Sequence, residues 1–80
     1  MAQYEHLMVL AAPITSWSTS HISVWKPRYI GDEELSDWKN GPDLPTYCNQ
    51  MSTNGWEVVS HCYDPGGQIN LLLKRQVQQE

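Results

Sequence analysis

Three histidines and two cysteines are the residues of this chain best suited to metal binding or catalysis. His61 and Cys62 are adjacent, and neighbouring side chains of a strand point to opposite faces, so these two cannot bind one metal ion together. His6 and His61 could meet across a sheet, but the sequence indicates no third ligand. No nucleophile motif surrounds Cys62, which argues against catalysis with His6 or His21. The sequence predicts no metal, no cofactor and no catalytic residue, and both cysteines read as small buried hydrophobic residues.

Glu57 and His61 form the candidate polar site, because both lie in one stretch with strand character. Glu57 follows Trp56, and we expect its carboxylate to pair with Lys74 or Arg75 on the next strand of a hairpin. The alternative is that the Glu57 carboxylate faces a ligand.

The aromatic residues are four tryptophans and four tyrosines, with no phenylalanine. A small chain cannot fully bury so many rings that carry a polar group, so some should reach the surface, where such rings favour interfaces. Trp17 lies in a serine- and threonine-rich stretch, where it either folds onto the core as a lid or binds a partner. The predicted interaction surface consists of Trp17, Trp25, Tyr29 and Trp38.

Length and charge exclude several classes of protein. Eighty residues predict a single domain, 1–80. The net charge is −4 and the five basic residues are scattered, which argues against a nucleic-acid partner. No apolar run approaches the roughly 20 residues that span a bilayer, and no leader opens the chain, so we expect a cytoplasmic protein without membrane contact.

The most informative stretch is 44–63, which reads as a helix, a glycine stop and a strand buried in the sheet. Asp43 is placed to cap the helix, Pro45 suits its first turn and is its predicted start, and Asn54-Gly55 suits its end. Trp56 then occupies the position where a helix-ending motif places an apolar side chain against the last turn. One apolar stripe runs along the helix at i, i+3, i+4 and i+7, formed by Leu44, Tyr47, Cys48 and Met51.

This stretch resembles the core segment of the small bacterial family called domain of unknown function 4177. In that family an asparagine precedes a Gly-Trp-Glu-apolar-Val run, as in residues 48–60 here, and a last strand ends in a basic pair, as in 71–75. Residues 4–9 are similar to its opening strand. Ser52 stands where the family has glycine, and the stretch between the first strand and the helix is longer. The resemblance implies a compact α+β domain and transfers no active site.

The remaining segments predict three more strands and a second helix. Alternation and β-forming residues predict strands at 4–11, ended by Ala12-Pro13, at 21–30 and at 68–75. Pro27 places the second strand at a sheet edge or marks a bulge. The acidic run at 32–39, followed by Asn40-Gly41, predicts a short helix.

These segments predict an α+β fold: a four-stranded, mostly antiparallel sheet with the helix 44–54 packed on one face and a short acidic helix at 32–39. An open sheet face that is partly apolar favours dimerisation or a protein partner. The function that follows is a non-enzymatic interaction or oligomerisation module, expected to form a homodimer. The alternative is a small-molecule binding protein or enzyme with a pocket between sheet and helix or at a dimer interface.

Overall fold

The computed structural model of the chain describes residues 3–15 and 23–77. Within them lie, in order, β1 (Tyr4–Thr15), β2 (Ser23–Ile30), β3 (Glu33–Glu34), a 3₁₀ turn (Trp38–Asn40), α1 (Leu44–Thr53), β4 (Glu57–Tyr63) and β5 (Ile69–Gln76). The α+β class is confirmed, but the sheet has five strands rather than the predicted four. The serine- and threonine-rich stretch that carries Trp17 lies outside the described residues.

The sheet has the order β3-β2-β1-β5-β4, and every neighbouring pair is antiparallel. The first and last strands of the described chain therefore lie side by side at the centre of the sheet. Two strands that flank the serine- and threonine-rich stretch are predicted to pair antiparallel, and β1 and β2 do so. The register shifts between Leu10, opposite Tyr29, and Ala11, opposite Pro27. Arg28 is the extra residue of this bulge, as the proline in the strand indicated.

The prediction that Ala12-Pro13 ends the first strand is wrong, because β1 continues to Thr15. Its pairing with β5 stops at Ala11, whereas its pairing with β2 continues through Pro13 and Trp25. Pro13 therefore lies where β1 has a neighbouring strand on one side only. A residue without an N–H is tolerated at such an edge.

The predicted acidic helix at 32–39 is also wrong. Gly31, with φ of 60°, and Asp32 form a two-residue turn, and the chain returns with Ile30 opposite Glu33 and Tyr29 opposite Glu34. A glycine followed by an aspartate is a signal for such a tight hairpin. The helix prediction weighted the acidic run above this turn signal, and only Trp38–Asn40 form a helical turn.

Helix α1 has the ends that the sequence predicted, although it begins at Leu44, one residue before Pro45. The Asp43 carboxylate accepts a hydrogen bond from the Thr46 N–H at 2.9 Å. At the other end Gly55 has φ of 88°, its N–H donates to the Ser52 carbonyl, and the Trp56 N–H donates to the Met51 carbonyl, both at 3.1 Å. This pair of bonds is a Schellman motif, which satisfies two carbonyls of the last turn.

The core lies between α1 and one face of the sheet. Tyr47 is the buried residue of the helix, and it packs against alternate residues of β1 and β5, which are Val9, Ala11, Ile69, Leu71 and Leu73. The alternation of Ile69, Leu71 and Leu73 in the sequence predicts that these three share the core face of the last strand, and the structure confirms this. The helix covers this face of the central strands. Neither α1 nor any other helix of the described residues is long and apolar enough to cross a membrane.

The prediction that the strand after Gly55 is buried is wrong. All seven residues of β4 are exposed, because the strand lies at the edge of the sheet, where α1 covers it only partly. Cys62 is therefore exposed rather than buried, while Cys48 in α1 is half-buried. Burial raises the pKa of the Cys48 thiol.

Candidate interaction surface

The sheet face opposite α1 carries an apolar patch at its centre. Strand alternation places Met8 and Leu10 on this face, because Val9 between them points into the core and is 1% exposed. Met8 lies opposite Leu72 of β5, and Leu10 lies opposite Tyr29 of β2. Met8 is 50% exposed, and the other three side chains are half-buried. We call Met8, Leu10, Tyr29 and Leu72 the apolar patch.

A shallow cleft of about 370 Å³ opens beside Met8 at the hairpin between β2 and β3. The Gly31 N–H donates to the Met8 carbonyl at 2.8 Å, which holds this hairpin against β1. Most of its wall is apolar, and Asp32 brings a carboxylate to its rim. Among its lining residues are Met8, Leu10, Tyr29, Gly31, Asp32 and Asn70.

Ion pairs and cation–π contacts surround the patch. Lys74 Nζ lies 3.4 Å from Glu57 Oε1, which confirms the expected partner of Glu57, and 4.8 Å from the centre of the Tyr4 ring. On the other side Arg28 Nε donates to Glu34 Oε2 at 2.7 Å. The hydrogen bond with Arg28 lowers the pKa of the Glu34 carboxyl. An apolar centre with a charged rim is the usual composition of a protein interface.

Glu57 and His61, the candidate polar site, lie on opposite faces of β4. Glu57 lies opposite Lys74, beside the patch, whereas His61 lies opposite Leu71 of the core face. Val59, the extra residue of a bulge in β4, lies between the two residues in the strand. The structure does not bring the two side chains together.

Trp25, a predicted contact residue, holds the fold together. Its indole N–H donates to the Gly67 carbonyl at 3.0 Å, and its ring meets the Tyr63 ring edge-on at 6.1 Å between centroids. The ring also packs against the core. Trp25 is thus half-buried and engaged on the helix side of the sheet.

A groove of about 320 Å³ beside Trp25 is the feature closest to the alternative prediction of a pocket between sheet and helix. Its polar groups are already used, since the Trp25 N–H is bonded to Gly67 and the Asp43 carboxylate caps α1. At the end of α1 a cleft of about 460 Å³ has charged and polar residues in its lining, among them Glu5, Asn54 and Arg75, and the Arg75 guanidinium is already bonded to the Glu5 carboxylate there. The groove is lined by Val24, Trp25, Asp43, Leu44, Pro45 and Ile69.

Trp38 lies in the 3₁₀ turn that packs against β2, and its ring is 5.0 Å from the Arg28 guanidinium carbon. The Lys26 ammonium donates to the carbonyl of Lys39 in the same turn at 2.7 Å. Of the three predicted contact residues that the structure describes, Tyr29 alone belongs to the apolar patch. Trp17 lies outside the described residues.

Sequence reasoning named the open face but missed Met8 and Leu10. Their signal was the alternation Tyr4, His6, Met8, Leu10, which places these four side chains on one face of a strand. The apolar run at 7–10 instead predicts a strand buried on both faces for part of its length. Among residues 3–15 and 23–77, no three His, Cys, Asp or Glu side chains form a group able to hold a metal ion.

Comparison with known proteins gives no relative from which a function could be transferred: no family model, no curated protein and no solved structure matches this chain.

Proposed function

We propose that this protein is a non-enzymatic interaction module that self-associates through its apolar patch. The observation that carries this proposal is the position of Met8, 50% exposed, directly opposite Leu72 at the centre of an otherwise well-paired sheet. Exposed apolar side chains clustered inside a charged rim are typical of protein contact sites rather than of ordinary surface.

A second copy of the chain is the partner that this surface fits. Each side of the rim carries both signs, with Lys74 paired to Glu57 on the β4 side and Arg28 paired to Glu34 on the β2 side. Two copies can therefore stack face to face about a twofold axis without opposing a row of like charges. This arrangement also buries the patch of both copies at once.

The resemblance to domain of unknown function 4177 is part of the same proposal. That family offers no active site to carry over, which agrees with an interaction module. We also keep the cytoplasm as the proposed location. The polar groups of the clefts beside α1 are already bonded within the fold, which favours a contact surface over the alternative of an enclosed small-molecule site.

Sedimentation equilibrium from micromolar to millimolar protein tests the proposal. Met8→Glu places a charge in the patch at a half-exposed position that tolerates it in the monomer. We expect this variant to lower the assembly mass at least twofold relative to the wild type at equal concentration. Gln50→Glu, on the exposed surface of α1, adds the same charge elsewhere and should leave the mass unchanged. Equal masses for Met8→Glu and the wild type would overturn the proposal.

A further inference from the structure

The outer edge of β4 is the second exposed feature of the described chain. β4 is the last strand of the sheet order, and β5 is its neighbour there. All seven of its residues, Glu57–Tyr63, are exposed. Backbone N–H and carbonyl groups along such an edge can hydrogen-bond to a further strand.

The side chains of β4 favour pairing with a further strand. Val58 is 42% exposed, Val59 48% and Tyr63 65%, and these residue types favour strands. Glu57 carries the strand's carboxylate, and Lys74 on β5 already pairs with it. Proteins protect free edges with lysine, proline or a bulge. β4 contains neither lysine nor proline, and its bulge at Val59 leaves the regular segment 60–63 to pair.

The opposite edge of the sheet is protected. β2 contains Lys26 and Pro27, two-residue β3 pairs with its end, and the 3₁₀ turn packs against it through the hydrogen bond from Lys26 to Lys39. A strand at this edge would meet a residue without an N–H and two acidic side chains, Glu33 and Glu34. The two edges of the sheet therefore differ in what they can bind.

We propose that β4 pairs antiparallel with β4 of a second copy, joining two sheets into one continuous ten-stranded sheet. The difference between the two edges determines which edge of a second copy β4 can pair with. Pairing of β4 with the opposite edge of another copy would build open filaments, and the protected β2 edge prevents it. Pairing of β4 with itself obeys a twofold axis and closes as a dimer. This edge is a different surface from the apolar patch, so this inference does not rest on the proposed function.

Symmetry constrains the register of this pair. Residues directly opposite each other in an antiparallel pair share a face of the sheet. A twofold axis between two identical strands satisfies this only if it lies midway between one residue and the same residue of the other strand. Val59 is the bulged residue, so the regular part of the strand is 60–63. The axis should therefore lie at Ser60, His61 or Cys62, and that residue lies beside its own copy. Glu57 then lies far from the partner's Glu57, and no like charges are opposed.

The axis of the β4 pair is perpendicular to the sheet, so both α1 helices lie on one side and both apolar patches on the other. Patch-to-patch stacking uses an axis in the plane of the sheet. The two axes are compatible in one closed assembly of four chains, with two ten-stranded sheets stacked through their patches.

Sedimentation of edge variants tests the inference separately from the patch. Val59→Lys adds a protecting charge to β4 without removing a core contact, because Val59 is 48% exposed. We expect the assembly mass to fall twofold relative to the matched control Val59→Thr, and Val59→Lys with Met8→Glu to be a monomer. An unchanged mass for Val59→Lys would overturn the edge contact alone, whereas an unchanged mass for Met8→Glu would overturn the patch alone.

Disulfide formation gives a second readout that does not depend on mass. Three chains with a single cysteine are compared, and all of them carry Cys48→Ala. The first keeps the native Cys62, and the other two carry Cys62→Ser together with His61→Cys or Ser60→Cys. We expect one of the three positions to cross-link two chains under mild oxidation, since directly opposed Cβ atoms lie about 4.5–5.5 Å apart. Gln50→Cys on α1 is the control. Cross-linking no greater than this control at all three positions would overturn the edge pair.

Discussion

The indole N–H of Trp25 and the carbonyl oxygen of Gly67 are joined by a hydrogen bond of 3.0 Å. The bond reaches from β2 to the turn between β4 and β5, passing over β1. It therefore fastens the edge hairpin to a strand that is not its sheet neighbour. The Trp25 ring makes an edge-on contact with Tyr63 on the same hairpin.

Trp25→Phe should lower the free energy of unfolding by about 1 kcal/mol, because it keeps an aromatic ring but removes the N–H that bonds to Gly67. Chemical denaturation measures this loss. Trp25→Leu also removes the ring contact with Tyr63 and should cost more. Equal stability of Trp25→Phe and the wild type would mean that solvent replaces the bond fully at this exposed carbonyl.

Tyr47→Phe should raise the free energy of unfolding by about 1 kcal/mol. The Tyr47 hydroxyl is buried, and it has no hydrogen-bond partner in the part of the chain that the structure describes. Burial also raises the pKa of this phenol, because desolvation disfavours its charged form. The measurement is denaturant unfolding of both proteins. A loss of stability in Tyr47→Phe would show that the hydroxyl finds a partner.

Protonation of Asp43 should destabilise the protein at acidic pH. Hydrogen bonds to Thr46 lower the pKa of this carboxyl below its usual value. Its stabilising contribution is therefore complete above the unfolded-state pKa, about 4, and is lost as the pH falls through the lower folded-state pKa. Thermal unfolding measured from about pH 2 to about pH 7 gives the loss, because about pH 7 lies well above that window.

Asp43→Asn is the matched control for this pH dependence, because asparagine caps helices well and does not titrate. We expect it to flatten the part of the pH profile that Asp43 contributes. Asp43→Ala should lower the melting temperature at neutral pH, because it leaves the Thr46 N–H without its acceptor. A pH profile identical in wild type and Asp43→Asn would contradict this assignment.

Gly55→Ala should cost about 1–2 kcal/mol, because φ of 88° lies in the left-handed region. Space is not the cause, since a Cβ there would lie 3.4 Å from Arg75 Cδ, an ordinary contact. Gly55→Asn should cost less, as asparagine tolerates this conformation. Calorimetry of the two variants compares them directly. Equal losses would point to side-chain crowding by Arg75.

Local signals in the sequence predicted the helix and its ends well. Asp43, Gly55 and Trp56 each make the backbone contact that their positions indicate, because capping depends on residues within one turn. The apolar alternation of Ile69, Leu71 and Leu73 likewise predicted the core face of β5, and Pro27 predicted either a sheet edge or the bulge that β2 contains.

Features that depend on the order of strands were not predictable in the same way. β4 has the same apolar composition as a buried strand, and only its place at the end of the sheet exposes Val58 and Val59. Met8 stands in a continuous apolar run, and periodicity does not resolve which side chains of such a run face the core. The apolar patch could have been found by applying strict alternation to β1.

Pairing of β1 with β5, in which Tyr4 lies opposite Gln76, has a consequence for synthesis of the chain on the ribosome. β1 emerges early and can form its hairpin with β2 at once, but its other side waits for β5, which is translated last among the described strands. Until then Val9 and Ala11 lack the partners that bury them, and such incomplete sheets are prone to aggregate. The core of this protein therefore closes only after β5 has emerged, and slow, non-local pairing is expected to limit its folding rate.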